Sequence, residues 1–220
     1  ARCVQEPATT PPGTSPSLTR SPATNAAAER AGAIFVWPLT EAIATLGAAD
    51  QSGHLAIGAY RGGFATSSTT PIACSRDGGT AYVLNGTSSY VQSMVQLVNP
   101  TTFSIEVWFK TSSPNGKLIG FGNGNAGAVS TSGQYDRHIY FSPSGQLNFG
   151  IYNGSTQVIT SAASYSDGAW HHVVGTLTPT TGMVLYVDGA VVASSTAFKT
   201  PENTTGYWRF GYDNLGGWPN

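Results

Sequence analysis

The stretch DGAWHHVVGTL, residues 167–177, sets His171 beside His172 and next to Trp170, and these two rings are half of the four histidines in the chain. Imidazole is the side chain best suited to proton transfer or metal ligation near neutral pH, so chemistry would be sought here first. The flanking residues are β-formers, and successive side chains of a strand point to opposite faces. Trp170, His172 and Val174 therefore share one face, and Ala169, His171 and Val173 the other. Two rings on opposite faces cannot converge on one metal or one substrate, so at most one histidine can act, and packing is the expected role of the strand. His54 and His138 lie elsewhere without H-x-H or H-x3-H spacing, which leaves zinc without a ligand set.

Carboxylates come next. Glycoside hydrolysis needs two of them, about 5 Å apart in a retaining enzyme, and a strand supplies that arrangement when acids alternate. In FSIEVWFKT (103–111) Glu106 shares its face with Ser104, Trp108 and Lys110 and with no second acid. Glu6 and Glu29 fall in a Pro- and Thr-rich tail, and Glu41 and Glu202 in turn-like segments. A Ser-His-Asp centre has no G-x-S-x-G elbow to stand on. The single S-x-D-x-G stretch, Ser75 to Gly79, reads as a turn. The chain is expected to be no enzyme, with a glycoside hydrolase as the remote alternative.

The elements that must carry these residues are strands. Charged residues make up 10% of the 220, against about 25% in an average soluble protein, and Gly, Thr, Ser, Asn and Ala fill the difference, as in secreted β-rich proteins. The net charge of -1 and the lack of a Lys/Arg run give no electrostatic footprint for nucleic acid. No apolar run nears the roughly 18 residues of a membrane span, and the first residues carry no apolar signal core, so any signal peptide is expected to be gone. Cys3 and Cys74, an even number in an extracellular-looking chain, are expected to form a disulfide. Such a loop closure is worth up to roughly 4 kcal/mol in the chain-entropy picture.

Residues 1–31 are a Pro/Thr/Ala-rich arm or linker with too few large apolar side chains to fold alone, and residues 32–220 form one all-β domain. Asp188-Gly189 in MVLYVDGAVVASS marks a hairpin, because both positions of its tight turn take positive φ. Asn153-Gly154 joins QLNFGIY to STQVITS in the same way, and Pro143-Ser144-Gly145 joins RHIYFS to QLNFGIY. Further strands are expected at 33–37, 80–85, 88–93, 103–111, 117–122, 169–177 and 207–212. About a dozen short strands at this spacing make a two-sheet antiparallel sandwich.

The succession WPLTEA, AADQSG, GGTAYVLNGTSSYV, FSIEVWFKT, DRHIYFSPSGQLNFGIY, YSDGAWHHVVGTL, GMVLYVDGAVVAS and GYWRFGYDNLGGWP resembles the bacterial laminin-G-like domains of the concanavalin A-like lectin/glucanase superfamily, over about residues 33–218. The resemblance implies a jelly-roll sandwich, an extracellular setting, and binding or adhesion rather than catalysis. Glucanases of that superfamily carry E-x-D-x-E on one strand, which Glu106 alone does not match. The resemblance also implies a Ca²⁺ at the sandwich rim, for which Asp50 and Asp77 are the candidate ligands. A last strand, roughly G-x-I-D-E-V-x-V-Y, usually follows the segment matching GYDNLGGWP, and this chain stops at Asn220. An open edge beside residues 207–212 is therefore expected, and three explanations compete: truncation or processing removed the last strand, the N-terminal arm folds into the gap, or a strand-donating or self-assembling partner fills it.

Glycan recognition uses ring faces stacked on C–H patches with polar groups beside them. Tyr135, Asp136 and Arg137 in one loop and Tyr212, Asp213, Asn214 and Trp218 in another are the candidate ligand-binding residues. The expected partner is a glycan or an extracellular protein. The alternative is a structural subunit of a surface assembly or fibre, joined through the open edge and the arm.

Overall fold

A computed structural model of the protein describes residues 28, 31–39, 47–67, 81–124 and 131–219. Cys3, Cys74 and Asp77, and nearly all of the expected arm, lie outside the described residues.

Fourteen strands follow one another: β1 (Gly58–Arg61), β2 (Phe64–Ser67), β3 (Ala81–Leu84), β4 (Tyr90–Ser93), β5 (Leu97–Val98), β6 (Phe103–Lys110), β7 (Lys117–Gly122), β8 (Tyr135–Phe141), β9 (Gln146–Tyr152), β10 (Thr156–Ser164), β11 (Trp170–Thr178), β12 (Gly182–Val187), β13 (Ala190–Ser195) and β14 (Thr205–Gly211). The larger sheet runs β1-β4-β14-β7-β8-β9-β10, with β5 also on β14; the smaller runs β13-β12-β11-β6, and β2 and β3 form a separate pair. All pairings are antiparallel. The expected all-β jelly-roll sandwich is what the chain forms.

Alternation fixes which residues fill the space between the sheets. Ile105 and Phe109 of β6, Val173 and Leu177 of β11, and Met183, Leu185 and Val187 of β12 face Ile119, Phe121, Ile139, Phe141, Leu147, Phe149, Ile151 and Trp208 of the larger sheet. Each such burial stabilises the fold by about 1.5–3 kcal/mol. Gly175 lies between them, where a Cβ would sit 3.0 Å from Ile139 Cδ1 and 3.3 Å from the Phe149 ring, so a bare backbone lets the sheets close there. A second cluster of Ala48, Tyr60 and Val91 packs with Trp37, Leu39, Phe64 and Tyr82.

The β12–β13 turn has the expected form, with Asp188 at φ 52° and Gly189 at φ 82°. The β9–β10 loop differs: only Gly154 takes positive φ, and three residues, 153–155, separate the strands. Residues 33–37 form no strand. The backbone of Val36 is bonded instead to the loop beyond, its N donating to Asp50 Oδ1 and its O accepting from Gln51 N. Nor is the neighbourhood of 207–212 open, since β4, β5 and β7 all hydrogen-bond to β14. β6 stands at one end of the smaller sheet and, among the described residues, pairs only with β11.

Candidate functional site

The two adjacent histidines separate as alternation requires. His171 turns inward at the end of the sandwich, 5.7 Å from the Phe109 ring and 5.1 Å from Tyr165 between centroids. Its Nδ1 is 2.8 Å from Asp188 Oδ2 and its Nε2 3.1 Å from Asp167 Oδ1. Burial alone would lower its pKa, but these two carboxylates outweigh that and raise it. An imidazolium donating from both nitrogens suits the pair, and it leaves neither nitrogen free to take a proton from a nucleophile. Asp188 Oδ1 also accepts the His172 backbone N–H, and Asp188 N donates to His172 O. The hairpin turn of β12–β13 is thus tied to β11 through both histidines.

His172 points outward and stacks on Trp108 at 4.8 Å and 25° between planes. Register sets this contact, because β6 and β11 place Trp108 opposite His172 and Glu106 opposite Val174. Glu106 Oε2 lies 3.6 Å from His172 Nε2 at the surface. The outer row of β6 therefore holds one carboxylate between Ser104 and Trp108.

Asp50 caps a turn. Its Oδ1 accepts from Val36 N and Ser52 N, and its Oδ2 from Ser52 Oγ and Ala56 N, all within 3.0 Å. Burial would raise the carboxyl, but the three amides and the hydroxyl together hold its pKa below the usual range. Donors therefore occupy both oxygens that a hard cation would need, and the residues present do not fit a Ca²⁺ built on Asp50. Among the described residues no cluster of three His, Cys, Asp or Glu side chains could hold a metal.

The two loops of ligand candidates come together only in part. Residues 212–219 lie over the outer face of the larger sheet, anchored by Asp213. That buried carboxylate is 2.7 Å from Lys117 Nζ and 3.2 Å from Arg209 Nη1, and it accepts from Ser132 N at 2.7 Å. Arg209 in turn donates from Nε and Nη2 to Gln92 Oε1 and sits 4.0 Å over the Tyr90 ring. Burial pulls the Lys117 ammonium down to about 8 despite Asp213, so it is charged at neutral pH. Lys117 and Arg209 are the residues sequence reading missed; their partners lie up to 117 positions away, beyond any local signal.

Trp218 is 6% exposed, its ring edge against Gly150 and 4.8 Å from His138. Burial and the nearby Lys117 push His138 well below the ordinary imidazole value, so it is neutral. Tyr135 Oη donates to Gly216 O at 2.7 Å, Tyr140 Oη to Pro219 O at 2.8 Å, and Asn214 Oδ1 caps Gly216 N at 2.9 Å. Asp136 and Arg137 are placed differently. Both are fully buried and paired with each other, and Arg137 also donates to Pro100 O, Asn99 Oδ1 and Glu202 O. Burial raises the Asp136 carboxyl, and Arg137 beside it opposes the rise. These two residues bind chain segments together rather than facing solvent. What faces outward is half-buried in two separate places: Tyr135 and Asn214 flank Gly216 where the segment crosses β8, and Tyr212 lies apart, at the cleft lined by Asn85, Gly86 and Lys117.

A laminin G family model, described as the concanavalin A-like lectin/glucanases superfamily, matches residues 85–220. Among solved structures, the binding domain of Paraclostridial Mosquitocidal Protein 1 is similar at a TM-score of 0.59 and 15% identity, over 86% of this chain and 46% of that one. A mutant of HCR D/C VPI 5995 is similar at 0.54 and 15% identity, over 87% of this chain and 46% of that one. The chain thus spans less than half the length of either structure. No curated protein matches the sequence.

Proposed function

The chain belongs to the concanavalin A-like lectin/glucanases superfamily, and from that premise we propose that it is a secreted, non-catalytic binding or adhesion module recognising a glycan or an extracellular protein through its rim. The observation that carries this reading is the rim itself. Tyr135 of β8 and Asn214 are half-buried on either side of Gly216, where a segment pinned by the buried Lys117–Asp213–Arg209 contacts crosses the strand, and a ring and an amide on a rigid support are what recognition of hydroxylated ligands uses. The similar structures named above include a binding domain, which agrees with this reading. Glu106 between Ser104 and Trp108 gives hydrolysis one carboxylate where it needs two. The low charge content agrees with an extracellular setting, and among the described residues no helix is long and apolar enough to cross a membrane.

The test is an immobilised glycan array. One class of glycan should be retained, and Tyr135→Ala should weaken retention about tenfold or more, the scale expected on losing a ring contact, with the fold intact by circular dichroism. Release of reducing sugar that disappears in Glu106→Gln would replace binding by hydrolysis. Retention unchanged in Tyr135→Ala would remove the rim as the site.

A further inference from the structure

His138 is completely buried in a nest that several elements build. Gly120 of β7 leaves the place of a Cβ to its ring: a Cβ there would collide with His138 Nδ1 and lie 3.1 Å from Lys117 Cδ. Tyr135 flanks the ring at 5.8 Å between centroids, and Trp218 closes it at 4.8 Å and 74° between planes. The indole is set in turn by Gly150 of β9 and by Tyr140, whose hydroxyl donates to the carbonyl of Pro219. Among the described residues neither nitrogen of the His138 ring makes a hydrogen bond of ordinary geometry. A neutral imidazole can remain there, whereas an imidazolium has two N–H donors to satisfy, and an unpaired buried charge is far costlier than a buried neutral ring.

The charges around the nest oppose that imidazolium. Lys117 comes from β7, Arg209 from β14 opposite Gly120, and Arg137 from β8. Against them stand Asp213, shared by Lys117 and Arg209, and Asp136, paired with Arg137; β9 brings only Gly150. No carboxylate is left over for a further cation, and the backbone of Tyr135, which favours the protonated ring, is outweighed by burial and Lys117. Water would stabilise the charge, and Trp218 keeps it out. We propose that His138 and Trp218 form an acid-operated latch, in which the uncharged ring seats the indole and the imidazolium drives it off, lifting residues 216–219 from the outer face of the larger sheet. With the indole away the ring meets water, and its pKa returns toward about 6.5. The latch is thus fully held above that pH and loosens about tenfold per pH unit below it, down to the depressed pKa of the closed form. Asp213 does not titrate in this range, because Lys117 and Arg209 outweigh its burial and hold its carboxyl low. Asp136, which burial pushes up to about 7, does titrate there, but it is paired with Arg137 and does not touch Trp218. The device stands whatever the rim binds.

Urea unfolding of the full chain, read by circular dichroism at about pH 7.5 and about pH 5.5, tests this on wild type, Trp218→Ala, His138→Gln and the double variant. With His138 present, the factor by which Trp218→Ala raises the unfolding constant should be about tenfold smaller at the lower pH, because the closed form has by then lost that much of its advantage. With His138→Gln the factor should be the same at both, which separates the latch from the titration of Asp136. Histidine-selective NMR gives a second measure that needs no change at His138. In Trp218→Ala the His138 ring should titrate at least about one pH unit higher than in wild type, since the proton and the indole must affect each other equally. Equal effects of Trp218→Ala at the two pH values, a pH dependence that survives His138→Gln, or a His138 titration that Trp218→Ala leaves in place would each overturn the latch.

Discussion

Replacing Gly150 by alanine measures how much the fold depends on the segment that crosses the larger sheet. A Cβ on Gly150 would fall inside contact distance of Trp218 Cζ3, 3.0 Å from Cε3, with Val158 Cγ2 at 3.2 Å on the other side. The backbone of β9 is held by both neighbouring strands, so the indole must give way. If the ring tilts and stays, the cost is that of overpacking, about 1–3 kcal/mol. Full expulsion would forfeit what Trp218→Ala forfeits, about 3–5 kcal/mol. In a background already carrying Trp218→Ala the obstruction is gone, and Gly150→Ala should be neutral or stabilising by up to about 1 kcal/mol, because alanine loses less backbone entropy in a strand. The coupling between the two changes is therefore expected at about 2–3 kcal/mol, within the range of touching residues. Urea unfolding of the four proteins, read by tryptophan fluorescence and circular dichroism, supplies the cycle. Equal costs for Gly150→Ala in both backgrounds would refute the packing of Trp218 on Gly150.

Two further outcomes follow from the ionised groups. His171 has a raised pKa, so its contribution is full below its unfolded value of about 6.5 and is lost as pH rises through the folded value. The lowered pKa values of Asp167 and Asp188 add stability that is lost only as pH falls through them. The stability difference between wild type and His171→Asn should accordingly be greatest between about pH 4 and 6.5 and shrink above, and a difference flat with pH would remove the paired-carboxylate account. Asp213→Ala leaves Lys117 and Arg209 without their shared carboxylate and should cost about 3–5 kcal/mol. Lys117→Met, which leaves Asp213 with Arg209 and Ser132, should cost less in the same urea assay, and the reverse order would contradict the geometry.

Local rules reached some features and not others. Alternation told correctly that His171 and His172 part company, and Asp188-Gly189 announced its own turn, because both depend on neighbours in sequence. The strand read at 33–37 rested on apolar residues alone, and there the carboxylate of Asp50 competes for the Val36 N–H. β1 and β5 are short and carry Gly or Pro nearby, which hid them. GYDNLGGWP has loop composition, and composition does not say whether a loop lies on solvent or on a sheet. Asp213 binds Lys117 across 96 positions, and Asp136 and Arg137 are buried by strands that meet only in the fold. An open edge is expected beside 207–212, yet β4 and β7 flank β14, since strand order within a sheet is a global property.

The segment 212–219 gives its carbonyls at Gly216 and Pro219 to tyrosines of β8 and its indole to Gly150. For that face of the sandwich the chain acts as its own tethered guest. Anything arriving from solution to lie there must outcompete a peptide whose local concentration is on the order of millimolar, the scale set by short tethers. Ligands held only weakly will thus be turned away from the sheet and meet the molecule at its margin.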